Sequence, residues 1–138
     1  MIYLDTSVVV PLFLEDVHSP RVATWIGGVD EPVVVSTWTV AEFSSAAAGQ
    51  ERMGQITLAD RQDAEAAFDG WLVAVDSTAV VGTDLATARQ LIRSDRVRLR
   101  TPDALHVAIA LRLGCRLATL DQNMARAGAD LGLMLEPL

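Results

Sequence analysis

Four acids, Asp5, Glu42, Asp103 and Asp121, are the residues whose types and spacing point to chemistry. Asp5 ends the short apolar run MIYLD and is followed by the polar pair Thr6 and Ser7. A carboxylate at the C-terminal end of a buried parallel strand stands in the crevice where open α/β sheets bind ligands. Glu42 lies among Val40, Ala41, Phe43 and the small run Ser44 to Ala48, where a buried glutamate needs a partner. Helical side chains tilt toward the helix N-terminus, so a glutamate near the second turn reaches back to the strand edge where Asp5 ends. Asp103 and Asp121 bracket the stretch TPDALHVAIALRLGCRLATLD, which reads as a helix capped by Thr101 and closed by Gly114, then a strand over Arg116 to Leu120. A helix of ~12 residues rises ~18 Å and a strand of ~5 residues travels ~17 Å back, which returns Asp121 to the edge where Asp103 begins.

Acids gathered at one edge repel. At an effective dielectric of ~20, two charges ~5 Å apart cost roughly 3 kcal/mol, against a net domain stability of only ~5–15 kcal/mol. Either some protons stay on, or a divalent cation sits among them. Oxygen-only donors select a hard ion, Mg²⁺ or Mn²⁺, over zinc. Such a site keeps positions open for water and a phosphate oxygen, the arrangement of metal-assisted phosphodiester hydrolysis, and it needs no protein nucleophile.

The elements that must position these acids alternate between strand and helix, which predicts an α/β fold. Val8 to Glu15 reads as a short helix, Ser19-Pro20 opens a second that ends at Gly27-Gly28, and Pro32 to Ser36 is an uninterrupted β-branched inner strand. Thr37 caps a helix to about Met53, and Thr57 with Asp60 forms a capping box for the next. Val73 to Val75 reads as an edge strand, Ser77 or Thr78 as the start of a helix carrying Asp84, and Leu133 to Leu135 as a final strand. His18 reads as a surface residue, and Asp84 as structural or solvated.

At 138 residues and 51% apolar, the chain suits one domain with a real core, residues 1–138. A net charge of −7 argues against a surface that attracts nucleic acid everywhere, so any polyanion must be met locally. All eleven basic residues are arginine, which excludes mechanisms that need a lysine. The one basic cluster, Arg93, Arg96, Arg98 and Arg100, leads into Thr101 and is either a phosphate-binding patch or a loop ion-pair network. Cys115 allows no internal disulfide and reads as a small core residue. With no stretch long enough to span a membrane and no basic leader, a cytoplasmic location is expected.

Taken in order, LDTS (Leu4 to Ser7), VAEF (Val40 to Phe43), PDALHVAIA (Pro102 to Ala110) and the T-x-D of Thr119 to Asp121 make the chain resemble a PIN-domain protein, specifically a VapC-type toxin ribonuclease. Each motif is weak alone, and the ordered set is specific. The resemblance implies an α/β/α sandwich around a central, mostly parallel sheet of four to five strands. It implies Mg²⁺-dependent RNA cleavage with Asp5, Glu42, Asp103 and Asp121 as metal-binding acids, and Thr6 and Thr119 as hydroxyls orienting them or the attacking water. It also implies a homodimer and a cognate VapB-like antitoxin. His106, in the DALH segment, reads as a packed or hydrogen-bonded residue, and Asn123 leaves one metal or two open.

Two phosphoryl-transfer families that also open on a strand ending in aspartate, the haloacid-dehalogenase phosphatases and the response-regulator receivers, need a lysine this chain lacks. A catalytically idle PIN-like module that binds RNA or a partner is the remaining alternative, and the intact acid set disfavours it.

Overall fold

The computed structural model describes all 138 residues. In chain order the elements are β1 (Ile2–Leu4), α1 (Thr6–Phe13), α2 (Ser19–Gly27), β2 (Val33–Ser36), α3 (Thr37–Arg52), α4 (Leu58–Leu72), β3 (Asp76–Thr78), α5 (Gly82–Arg93), α6 (Thr101–Leu113), β4 (Arg116–Ala118) and α7 (Gln122–Asp130). The strands form one sheet in the order β3-β2-β1-β4, and every pairing is parallel. β1 is central, with Tyr3 opposite Val34 on one side and Leu117 on the other.

Because side chains alternate across a strand, β1 feeds two cores. Tyr3, Val34 and Leu117 pack against residues of α5, α6 and α7. Ile2, Leu4, Val35 and Ala118 pack against α1, α3 and α4, where Phe13, Phe43, Phe68 and Trp71 meet mostly edge to face. The result is the three-layer α/β/α sandwich expected, with four parallel strands. α6 is buried from Ala104 through Ala110 and ends at Gly114, whose φ of 62° is the left-handed C-cap that glycine adopts without cost. Asp84, 1% exposed, anchors α5 to α6 by accepting from Arg112 at 2.6 and 3.1 Å, which gives it a structural role. No helix is long and apolar enough to cross a membrane.

Several boundaries differ from the sequence reading. Thr101 is the first helical residue and Arg100 occupies the cap position without a side-chain bond; Pro102 suits the first turn regardless. Ser36, not Thr37, caps α3, in a box with Thr39. The strand after Cys115 stops at Ala118, because Thr119 and Asp121 turn into the cap of α7. The edge strand is Asp76–Thr78 rather than Val73 to Val75, and α5 starts at Gly82. The final strand reduces to a single bridge between Leu135 and Leu117.

Candidate active site

Parallel pairing leaves Asp5, Ser36 and Thr119 at or just past the C-terminal ends of three neighbouring strands, hence on one edge. Asp5 caps α1. Its Oδ1 accepts from the Val8 N–H at 3.2 Å and from Ser7 Oγ at 2.7 Å, and its Oδ2 accepts from Thr119 Oγ1 at 2.6 Å. Both hydroxyls are fixed in turn: Ser7 Oγ accepts the Leu120 N–H at 2.8 Å and Thr119 Oγ1 accepts the Asp121 N–H at 3.0 Å. Burial pushes the Asp5 carboxyl above the usual carboxylate range, a shift that His106, Thr119, Ser7 and the Val8 N–H only partly oppose.

Glu42 reaches back from the second turn of α3, as its length allows. Its Oε2 accepts from Thr6 Oγ1 and from His106 Nε2, the latter at 2.7 Å. Burial pushes this carboxyl up, but the His106 and Thr6 hydrogen bonds outweigh it and the net shift is downward. The Trp38 indole N–H is near enough to lower it slightly further, yet is buried without a well-aligned acceptor. Asp103 lies in the first turn of α6. Burial raises its carboxyl, repulsion by Asp121 raises it further, and the Arg100 backbone N–H works the other way. Asp121 caps α7 by accepting the Met124 N–H at 2.8 Å.

All four acids, with Thr6, Ser7 and His106, line one pocket of about 350 Å³. Asp103 and Asp121 are shared with an adjoining cleft of about 670 Å³ that is also lined by Arg98, Arg100 and Asn123. Beyond Asp121 lies a third hollow, lined by Asp16 and by the exposed His18. The four clustered arginines therefore separate. Arg98 and Arg100 line the cleft that also holds Asp103 and Asp121, Arg93 lines a different groove between α5 and α6, and Arg96 bonds the Asp130 carbonyl at 3.2 Å. None of the four forms an ion pair, so the loop network is not what they build.

Sequence reasoning passed over Ser7, which holds Asp5 as firmly as Thr119 does, and Tyr3 and Ser36 behind His106. The signals were present: a serine directly after the Asp-Thr pair, and the only tyrosine of the chain set in an otherwise aliphatic strand, where its hydroxyl must find a partner.

As the side chains stand, no three Asp, Glu, His or Cys groups converge closely enough to hold a metal ion. The donor chemistry nevertheless fits a hard divalent cation: carboxylate oxygens lining one pocket, two of them carrying raised pKa values that a cation would relieve. Asp103 and Asp121 are half-buried and open to the pocket.

The PIN-domain family model matches residues 2–130. Comparison with curated protein sequences gives no match. Among solved structures, FitAcB from Neisseria gonorrhoeae is similar over 99% of this chain and 97% of its own, at a TM-score of 0.77 and 18% identity. VapC20 of Mycobacterium tuberculosis, a sarcin–ricin-loop-cleaving toxin, covers 93% and 95% at 0.74 and 20%. VapBC2 from Rickettsia felis, bound to a DNA fragment from its promoter, covers 99% and 98% at 0.69 and 16%. At these identities the likeness is one of fold; with the match over nearly its whole length, the chain belongs to the PIN-domain family.

Proposed function

We propose that this chain is a metal-dependent endoribonuclease, the toxin of a toxin–antitoxin pair, acting in the cytoplasm as a homodimer restrained by a VapB-like antitoxin. The observation that carries the reading is that Asp5, Glu42, Asp103 and Asp121 line one pocket, which shares Asp103 and Asp121 with a cleft lined by Arg98 and Arg100. The membership of the PIN family and the fold shared with toxins and toxin–antitoxin complexes support it. Asp5, Asp103, Asp121 and Glu42 would hold the ion, and Mg²⁺, or Mn²⁺ in its place, supplies an activated water and charge neutralisation for phosphodiester hydrolysis.

The chain's own groups do the rest. Thr119 and Ser7 hold the Asp5 carboxylate by both oxygens, and Thr6 holds Glu42. Arg98 and Arg100 meet the RNA backbone with planar forks suited to two phosphate oxygens at once, beside acids that alone would repel it. Pure protein incubated with a panel of structured RNAs tests the proposal. Cleavage with Mg²⁺, lost on adding EDTA and lost in Asp5→Asn, is expected; RNA binding without cleavage at any divalent ion would leave only the idle RNA-binding module.

A further inference from the structure

Behind Glu42 lies a buried hydrogen-bond chain that crosses three elements. His106, 2% exposed, comes from α6 one turn after Asp103. Its Nε2 meets Glu42 Oε2 at 2.7 Å and its Nδ1 meets the Tyr3 hydroxyl of β1 at 2.7 Å. Tyr3 in turn meets Ser36 Oγ at 2.9 Å, and Ser36 Oγ accepts the Thr39 backbone N–H at 3.1 Å. An ionised carboxylate only accepts, so Nε2 carries the hydrogen that meets Glu42; on a ring with one proton Nδ1 then accepts from Tyr3, whose hydroxyl also meets Ser36 Oγ, itself 3.1 Å from Thr39 Oγ1. Ser36 is held by the capping box of α3, the helix that also carries Glu42. The chain of donors therefore starts and ends on one helix, passing through β1 and α6.

We infer that His106 is a positioning residue for the proposed cation site, held by Tyr3 at one ring nitrogen so that the other donates to Glu42. With Oε2 taken by Thr6 and His106, Oε1 carries no hydrogen bond and is the oxygen left for an ion. A buried histidine that merely satisfied the core would need no carboxylate partner. The inference rests on the metal-nuclease reading, and its test separates the two.

Nitrogen NMR of the metal-free protein is expected to show a proton on His106 Nε2; a bare Nε2 overturns the inference whatever the protein binds. Mn²⁺ affinity by calorimetry gives the second readout. His106→Leu is expected to weaken binding about tenfold or more, the usual scale for a group that orients a ligand, and His106→Gln, whose amide reaches the Nε2 position, to recover part of it, whereas His106→Asn does not. In a Glu42→Gln background, His106→Leu should cost nothing further, because it acts through Glu42. Thermal melts of each variant confirm folding; if His106→Leu unfolds, Tyr3→Phe, which deletes only the donor to Nδ1, carries the comparison. Wild-type affinity in the folded variants overturns the positioning role alone, and no Mn²⁺ binding by the wild type overturns the metal reading with it.

Discussion

Asp103→Asn should change how the stability of the EDTA-treated protein responds to pH. The Asp103 carboxyl is held above its ordinary value of 3.8, first by burial and then by the charge of Asp121, and Asp5 is raised by burial. A carboxyl whose folded pKa exceeds its unfolded one binds its proton more tightly in the native state. The native state therefore gains stability as pH falls through the raised value, and has gained all of it below about 3.8. The slope reaches at most ~1.4 kcal/mol per pH unit for one such group. Asp103 is only half-buried, so solvent screening brings the expected figure to roughly half of that. Glu42, lowered from 4.5, works the other way: its contribution is present above 4.5 and lost as pH falls through its folded value, and because both proteins carry Glu42 the comparison removes it. Urea midpoints of wild type and Asp103→Asn between about pH 7 and pH 4, compared pairwise, cancel every group the two proteins share. The variant's slope should be the smaller in the direction of falling pH. On adding Mn²⁺ at about a hundred times its Kd, the wild type should gain ~2.7 kcal/mol by mass action and the variant much less. Parallel pH profiles, together with equal gains from Mn²⁺, would refute the idea that Asp103 carries charge strain that a cation relieves.

Arg98→Ala with Arg100→Ala is expected to flatten the logarithmic salt dependence of RNA binding by about 1.4, the single-strand value for two phosphate contacts, and to leave Mn²⁺ affinity unchanged. Arg93→Ala with Arg96→Ala, which face elsewhere, should leave the slope as it is; a fluorescence titration at several ionic strengths decides both. Thr119→Val removes the donor to Asp5 and the acceptor for the Asp121 N–H, and should cost about 2 kcal/mol by urea denaturation as well as weaken Mn²⁺. Arg112→Met strands the buried Asp84 charge and is expected to destabilise the fold by ~3–5 kcal/mol while leaving the acid pocket's Mn²⁺ affinity intact at low temperature.

The inner strands were readable because buried parallel strands are written as unbroken apolar runs, and the acids because each stands out against such a run. What misled was local competition at the ends of elements. Ser36 and Thr37 are both good caps, and only the depth at which β2 stops decides between them. Asp76–Thr78 carries two exposed residues and no apolar period, so its place at the sheet edge is set by pairing with Val34 to Ser36 and not by its own composition. The division of the arginines is a matter of a loop's course, which spacing in sequence does not encode. The Ser36, Tyr3 and His106 chain joins residues 33 and 103 positions apart, and the sequence shows that the Tyr3 hydroxyl needs a partner without showing which one.

The manner in which the fold tolerates its acids explains which of them are strained. Asp5 and Asp121 are helix N-caps and Asp103 lies in a first turn, so three of the four carboxylates stand at the positive end of a helix. Each such end contributes about 0.3–1 kcal/mol, less than the roughly 3 kcal/mol that one close pair of charges costs at an effective dielectric of ~20. The helix ends offset part of that cost, yet burial keeps the Asp5 carboxyl raised, and burial together with the charge of Asp121 keeps the Asp103 carboxyl raised. Glu42 has no helix end to lean on. It sits in the second turn of α3 and is stabilised instead by two side-chain donors, Thr6 and His106, which hold its carboxyl low. The site thus combines one ionised, oriented carboxylate with two strained ones, and that residual strain at Asp5 and Asp103 is the part of the electrostatic cost left for a divalent cation to offset.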